Sequence, residues 1–313
     1  MQSIGFIGAG RIAGRHAAAV AAAGARVIAV HDVNYERALA FAERHRATAN
    51  VSLDEFLGAQ PLDAVFICVP PDAHGAVEQA LVEERIPFFV EKPLPPNLDA
   101  ARAISASITA AGLTTSVGYH WRHLDRLQDV RMLLTEHPAH MAVAQWHAGF
   151  PTAPWWGSRA RSGGQVVEQA THLIDLCRLL LGEVVWVHAV NSRAVPAAGA
   201  DVAASSAGLV QFAAGSIAVL ASSCTLPRQH TVAVEFICDG RAITLSEEAM
   251  TVVEGTRTTR LVCDRDPFVA QAAAFLQAIE GGPSDGLVPY AEALLSHELA
   301  VAIADAALDA RPP

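Results

Sequence analysis

Lys92 is the only lysine in a chain of 313 residues; every other one of its 22 cationic side chains is arginine. A guanidinium stays protonated and spreads its charge over a plane, whereas an ammonium is compact and its proton affinity responds to burial. A position that keeps lysine against such a drift points to chemistry that arginine cannot supply; the plain alternative is a turn lysine retained by chance. It stands in Val90-Glu91-Lys92-Pro93, where Pro93 fixes its own backbone and restricts Lys92 to an extended conformation. The second reactive grouping is Glu168, His172 and Asp175. Spacings of four and three put them on one helical stripe, opposite Val166, Ala170, Leu173, Ile174, Cys177 and Leu181. Imidazole titrates near neutral pH, and a carboxylate beside it orients the ring, which suits general-base work on a hydroxyl. Spacing alone equally describes a solvated helix face. A divalent metal at His172 is the lesser option, since no second histidine stands at ligand spacing, and no metal is expected.

The third motif is Gly8-Ala9-Gly10-Arg11-Ile12-Ala13, a dinucleotide fingerprint in which alanine takes the third glycine's place. Gly8 permits the tight turn, Gly10 lets backbone approach a pyrophosphate, and the helix opened by Arg11 and Ile12 offers its N-terminus to that charge. Asp32 follows 24 residues after Gly8. Its carboxylate suits a ribose hydroxyl and repels a 2′-phosphate, which favours NAD over NADP; the other reading makes it the cap of the next helix.

These residues need a scaffold. Residues 1 to about 118 alternate apolar runs with amphipathic segments: strands over Ser3 to Gly8, Arg26 to His31, Ala64 to Val69, Phe88 to Val90 and Thr114 to Val117, with helices over Ile12 to Ala23, Tyr35 to His45, His74 to Glu84 and Leu98 to Ala111. That pattern predicts a doubly wound α/β half. From about Ala139 the period becomes two, in Ala139 to Trp146, Val184 to Asn191, Gly208 to Phe212, Ser216 to Ser223, Thr231 to Asp239 and Thr258 to Val262, which predicts a largely antiparallel sheet. Helices are expected over Val166 to Leu181, Pro267 to Ile279 and Tyr290 to Ala307. The expected division is a dinucleotide domain over 1–119 and a substrate and oligomerisation domain over 120–313.

Composition narrows the function classes. A net charge of -10 with no basic stripe argues against a nucleic-acid partner. No secretory leader and no long uncharged apolar run is read, so neither a membrane span nor export is expected, and the expected address is cytoplasmic. Five scattered cysteines without a Cys-x-x-Cys pair fit buried apolar side chains better than disulfides or zinc. The loop Pro154 to Gly164 carries Trp155 and Trp156, which stack on a sugar or cyclitol, anchor a subunit interface or cover core; Arg159 and Arg161 suit a substrate carboxylate.

Taken together the chain resembles the Gfo/Idh/MocA oxidoreductase family, which includes glucose-fructose oxidoreductase and inositol dehydrogenase. The resemblance covers nearly the whole chain and rests on Gly8 to Gly14, Val69-Pro70-Pro71-Asp72-Ala73-His74, Glu91-Lys92-Pro93, Gly118-Tyr119-His120-Trp121-Arg122 and Ser162-Gly163-Gly164 leading into the His172 helix. It implies a Rossmann domain, a second α/β domain whose open sheet forms homodimers or homotetramers, and NAD or NADP as cofactor. It implies that Lys92 touches substrate and nicotinamide, that His172 accepts the proton with Asp175 or Glu168 holding its ring, and that Val69, Pro71, His74 and Glu91 belong to the cofactor site. Tyr119, His120, Arg122, Trp155, Trp156 and Arg159 are the expected substrate contacts. The family's sugar and inositol dehydrogenases often carry aspartate where this chain has Glu168, which leaves the polyol, sugar or sugar acid unnamed. Two other activities share these motifs: a redox-neutral NAD-dependent glycoside hydrolase, and a non-catalytic nucleotide-binding regulator.

Overall fold

The computed structural model describes residues 1–306; Ala307, the expected end of the last helix, lies outside the described residues. The chain folds into two compact units, Met1–His123 with Arg265–Leu294, and Leu124–Asp264 with the described residues 295–306.

In the first unit β1 (Ser3–Ile7), α1 (Arg11–Ala22), β2 (Arg26–His31), α2 (Tyr35–His45), β3 (Thr48–Asn50), α3 (Leu53–Gly58), β4 (Ala64–Ile67), α4 (Ala76–Glu83), β5 (Phe88–Val90), α5 (Leu98–Ala111) and β6 (Thr115–Val117) follow in order. The six strands are all parallel, in the order β3-β2-β1-β4-β5-β6. Short runs without polar alternation, such as Phe88-Phe89-Val90, suit strands covered on both faces. Helix ends follow local chemistry: Asn34, Ser52 and Asn97 cap α2, α3 and α5 with their side chains, and Gly112 closes α5 in the left-handed conformation. Strand β3 and helix α3 escaped the periodicity reading because three and six residues are too short for a period to register.

The second unit begins with α6 (Leu127–Glu136) and β7 (Ala139–His147), then a four-residue α7 (Arg159–Ser162), a π-helical turn Val166–Ala170 and α8 (Thr171–Leu181). Seven strands complete it: β8 (Val184–Asn191), β9 (Ser205–Phe212), β10 (Ile217–Ser223), β11 (Thr231–Cys238), β12 (Arg241–Leu245), β13 (Ala249–Glu254) and β14 (Arg257–Val262). The eight-stranded sheet runs β14-β13-β12-β11-β7-β10-β9-β8, antiparallel except where β10 lies parallel to β7. Alternate residues of β9, β10 and β11 are buried, the half-covered pattern that the two-residue period predicts.

Two helices close the described chain, α9 (Pro267–Ile279) and α10 (Tyr290–Ala306). Helix α9 corrects the single expected cut between residues 119 and 120. Its Phe268, Ala272, Phe275 and Leu276 are buried in one cluster with Phe6, Ala13, Ala17, Phe66 and Phe89, so the chain returns to the first unit to cover that face of the sheet. No helix among the described residues is long and apolar enough to cross a membrane.

Candidate functional site

The strand succession reverses between β1 and β4, the place where open α/β sheets bind ligands. Gly8 sits there with φ 92°, and a Cβ on it would lie 2.3 Å from the Cys68 carbonyl oxygen. Only glycine fits between the two strand ends. Gly10 has a different reason. Its φ of -78° suits any residue, and a Cβ there would meet no protein atom within 4 Å, so the fold itself makes no demand for glycine and leaves that side of the turn clear. Helix α1 starts without a side-chain cap and without an acidic residue in its first turn, so its leading N–H groups suit an anion. Arg11 is exposed and Ile12 packs partly against the core.

Asp32 closes this loop from β2. One carboxylate oxygen accepts the Ala9 N–H at 2.8 Å and the other the Asn34 N–H at 2.8 Å. Asn34, not Asp32, caps α2, which removes the capping alternative for Asp32.

The carboxyl ends of β4 and β5 carry the next residues. Pro71 opens a 3-10 turn over Pro71–Ala73, with Val69 half-buried before it. The resemblance puts His74 and Glu91 at the nicotinamide, but both side chains are engaged inside the protein. The His74 ring, 1% exposed, meets Glu78 through Nδ1, and Gly75 N–H donates to the same carboxylate. Burial by itself raises the Glu78 carboxyl, but the His74 charge and the hydrogen bonds from His74, Gly75 and its own N–H outweigh it and leave it below the usual carboxylate range. Glu91, with a side chain 7% exposed, accepts from His16 Nε2 at 2.6 Å on one oxygen and from the Lys92 N–H at 3.1 Å on the other. Its carboxyl likewise ends low: burial acts upward, and the His16 hydrogen bond with the charges of His16, Lys92 and His120 acts downward more strongly. The Lys92-Pro93 peptide is cis.

After β6, Tyr119 and Trp121 are fully buried, and His120 lies 4.6 Å from the Phe268 ring of α9. Arg122 pairs with Glu292 at 3.1 Å. His123 is driven down to about 4 by burial and then by the charges of His120, Arg122 and Arg265.

In the second unit the expected helix Val166 to Leu181 divides, and the division changes how its charged residues are used. Gly163 and Gly164, both at positive φ, lead into the π turn, and regular α-helix starts at Thr171. The wider turn puts Glu168 out of step with the stripe drawn from a 3.6-residue period. Glu168 accepts from Trp156 Nε1 at 2.7 Å. The solvated face described by spacing is not formed: His172 is 3% exposed, Asp175 is fully buried, and every residue from Thr171 to Arg178 is buried. The His172 ring stacks on Trp146, centroids 5.8 Å apart. Asp175 Oδ1 accepts from Ser296 Oγ at 2.7 Å, and Ser296 Oγ accepts from Arg178 Nη1 at 2.8 Å. Because a guanidinium only donates, the Ser296 proton points at Asp175 and fixes that carboxylate as an acceptor.

Two expected substrate contacts are reassigned. Trp156 is 1% exposed and packs with Val202, Cys224 and Phe150, so of the three readings for the tryptophan pair it follows the core one; Trp155 is half-buried at the edge of that cluster. Arg159 donates from its guanidinium to Asp305 and to the Ala304 carbonyl, and from its backbone to Asp201, which ties α7 down rather than offering a carboxylate receptor.

Comparison with known proteins bears on what this arrangement does. Residues 2–119 match the model of the oxidoreductase family with an NAD-binding Rossmann fold, and residues 137–244 match the GFO/IDH/MocA C-terminal domain. An inositol 2-dehydrogenase of Acidothermus cellulolyticus is 30% identical over 257 residues, spanning 78% of this chain and 73% of that protein. The chain belongs to the Gfo/Idh/MocA oxidoreductase family. A second inositol 2-dehydrogenase, from Rhizobium meliloti, is 29% identical over 228 residues, 70% of this chain and 68% of that one. The fold also matches an oxidoreductase from Agrobacterium radiobacter solved with NAD+, L-tartaric acid and magnesium, with a TM-score of 0.87, 17% identity and coverage of 99% and 97% of the two chains.

As a Gfo/Idh/MocA protein the chain is an NAD-binding oxidoreductase, and its first unit fits that cofactor. Gly8 allows the turn, no protein atom crowds the space beside Gly10, and Asp32 follows directly on β2, so these residues could hold a pyrophosphate and a ribose diol. Asp32→Ser is therefore expected to weaken NADH binding about 10- to 100-fold, the loss of hydrogen bonds to a charged acceptor, and to narrow the preference over NADPH. Fluorescence titration of both cofactors checks this; unchanged affinity for both would remove Asp32 from the site.

Reading by motif missed His16, Phe268, Arg178 and Ser296. His16 was signalled, as a histidine inside the apolar stripe Ala13, Ala17 and Val20 of α1. The contacts that matter for the other three are long-range, Phe268 with His16 and His120 and Arg178 with Ser296, although Arg178 also pairs with nearby Glu183.

Proposed function

We propose that this oxidoreductase oxidises a secondary carbinol of a cyclitol, sugar or sugar acid, with NAD as the hydride acceptor. The observation that carries the reading is the sole lysine, set at the carboxyl end of β5 with its amide held by a buried carboxylate, in a chain whose relatives include inositol 2-dehydrogenases. Hydride leaves a carbinol carbon readily only as its hydroxyl proton departs. In this reading His172 takes that proton, while the Lys92 ammonium donates a hydrogen bond to the oxygen and stabilises its developing charge. Asp175, fixed by Ser296 and Arg178, and Glu168, fixed by Trp156, supply the negative field in which His172 accepts. Bound NAD supplies the hydride-accepting nicotinamide. Pro71 and Val69 line the cofactor, and His120, Arg122 and Trp155 line the substrate, whereas Tyr119, fully buried in the core of the first unit, does not.

The same reading makes the protein a cytoplasmic homodimer or homotetramer joined through the C-terminal sheet. Trp186, Gln211, Ile217, Met141 and Ile237 fall opposite one another across five neighbouring strands, and Trp186, Val190, Leu209, Ile217 and Val253 are exposed. An apolar sheet face of that extent is what a symmetric partner would cover.

The test is NADH absorbance after mixing the protein with NAD or NADP and a panel of inositols, sugars and sugar acids. Reduction of NAD by at least one cyclitol or sugar is the expected result. Release of an aglycone from glycosides without net NADH would replace the reading with the redox-neutral hydrolase.

A further inference from the structure

The imidazole of His16 is fully buried on α1, with Phe66, Phe89 and Phe268 around it at ring-centroid distances of 5.6, 5.0 and 5.3 Å. Its Nδ1 has no hydrogen-bond partner among the described residues, so its one polar link is Nε2 to Glu91. Such a pair is poor value as a fold stabiliser, because apolar side chains of similar volume in such a phenyl nest are commonly as stable or more so. What the pair does is local and directional. Glu91 holds the Lys92 N–H with its other oxygen, and its carboxylate is wedged against Gly118, where a Cβ would come within 2.6 Å of Oε1. Helix α1, strand β5 and the end of β6 thus meet on one carboxylate immediately behind Lys92.

We infer that His16 is a positioning residue: through Glu91 it fixes the backbone that carries the Lys92 ammonium, from the far side of the residue that touches substrate. The inference deepens the proposed function and rests on Lys92 acting at the reacting oxygen. Phe268 belongs to the same device, since it bridges the His16 and His120 rings and carries the Arg15 guanidinium 3.7 Å above its face.

The experiment compares His16→Phe, which fills the nest but cannot donate, with His16→Gln, whose amide reaches Glu91 as Nε2 does. With NAD and myo-inositol as probes, kcat is expected to fall about 10- to 100-fold in H16F, as for a sub-ångström misplacement of a catalytic group, and to recover most of that loss in H16Q, with the NADH dissociation constant unchanged. Because Lys92 is the sole lysine, reductive methylation with 13C-formaldehyde labels it and the N-terminal amine alone, which gives a readout that needs no substrate. The Lys92 methyl resonance should move in H16F and return in H16Q. Gly118→Ala, which pushes the same carboxylate from the other side, should repeat the H16F result and serves if H16F does not fold. Equal behaviour of H16F and H16Q, or an unmoved resonance in H16F, would overturn the inference. Full activity of Lys92→Ala would instead sink the reading beneath it, while the resonance would still judge whether His16 is coupled to Lys92.

Discussion

Lys92→Ala is expected to lower kcat by about two to four decades while leaving NADH affinity close to wild type, since the ammonium is assigned to charge that develops only in the transition state. Lys92→Arg sharpens the point. It keeps a positive charge in a chain that otherwise uses arginine for every cation, yet it replaces a compact donor by a wide planar one on a backbone already fixed by Glu91 and Pro93. Arginine should therefore recover little. If Lys92→Arg were nearly as active as wild type, charge alone would suffice and the case built on the sole lysine would fail. Steady-state kinetics on the best substrate of the panel, with cofactor binding measured separately, distinguishes these results.

Removal of the imidazole should have an effect of similar size. His172→Gln fills most of the space beside Trp146 but accepts no proton, so kcat is expected to fall by about two to four decades, the range of a lost general base. Part of the loss should return as pH rises, because the substrate hydroxyl then needs less help in giving up its proton. Ser296→Ala should act in the same direction but more weakly, since it loosens Asp175 without removing it. A His172→Gln enzyme with wild-type kcat and an unchanged pH profile would show that His172 only packs.

Much of the first unit was legible because its cues are local. The glycine turn, the acidic residue at the end of β2 and the Glu-Lys-Pro segment each depend on neighbours a few residues away, and the helices over Tyr35–His45, Leu98–Ala111 and Pro267–Ile279 carry their caps in sequence. The second unit was read less well where strands are short or polar. Strands β12 and β13 passed unnoticed, since Arg241 and Thr244, like Thr251 and Glu254, dilute the alternation that burial of Ile243, Leu245 and Met250 creates.

The helix of His172 marks the limit most sharply. Spacing put Glu168, His172 and Asp175 on one stripe, but a periodicity drawn at 3.6 residues per turn cannot contain a π turn, and it cannot tell a solvated carboxylate from a buried one. Asp175 looks like a surface acid until Ser296, 121 residues later, is folded onto it. Glu91 looks like a ligand contact until His16, 75 residues earlier, takes one of its oxygens.

The sequence by itself determined which residue types are available for chemistry and on which strand end or helix they lie, because those properties follow from composition, backbone preference and spacing over a few residues. Only the tertiary structure decided which carboxylates are held, by what and in which direction. That depends on long-range contacts in a buried, low-dielectric interior, where a charged group is tolerated only with its partner in place.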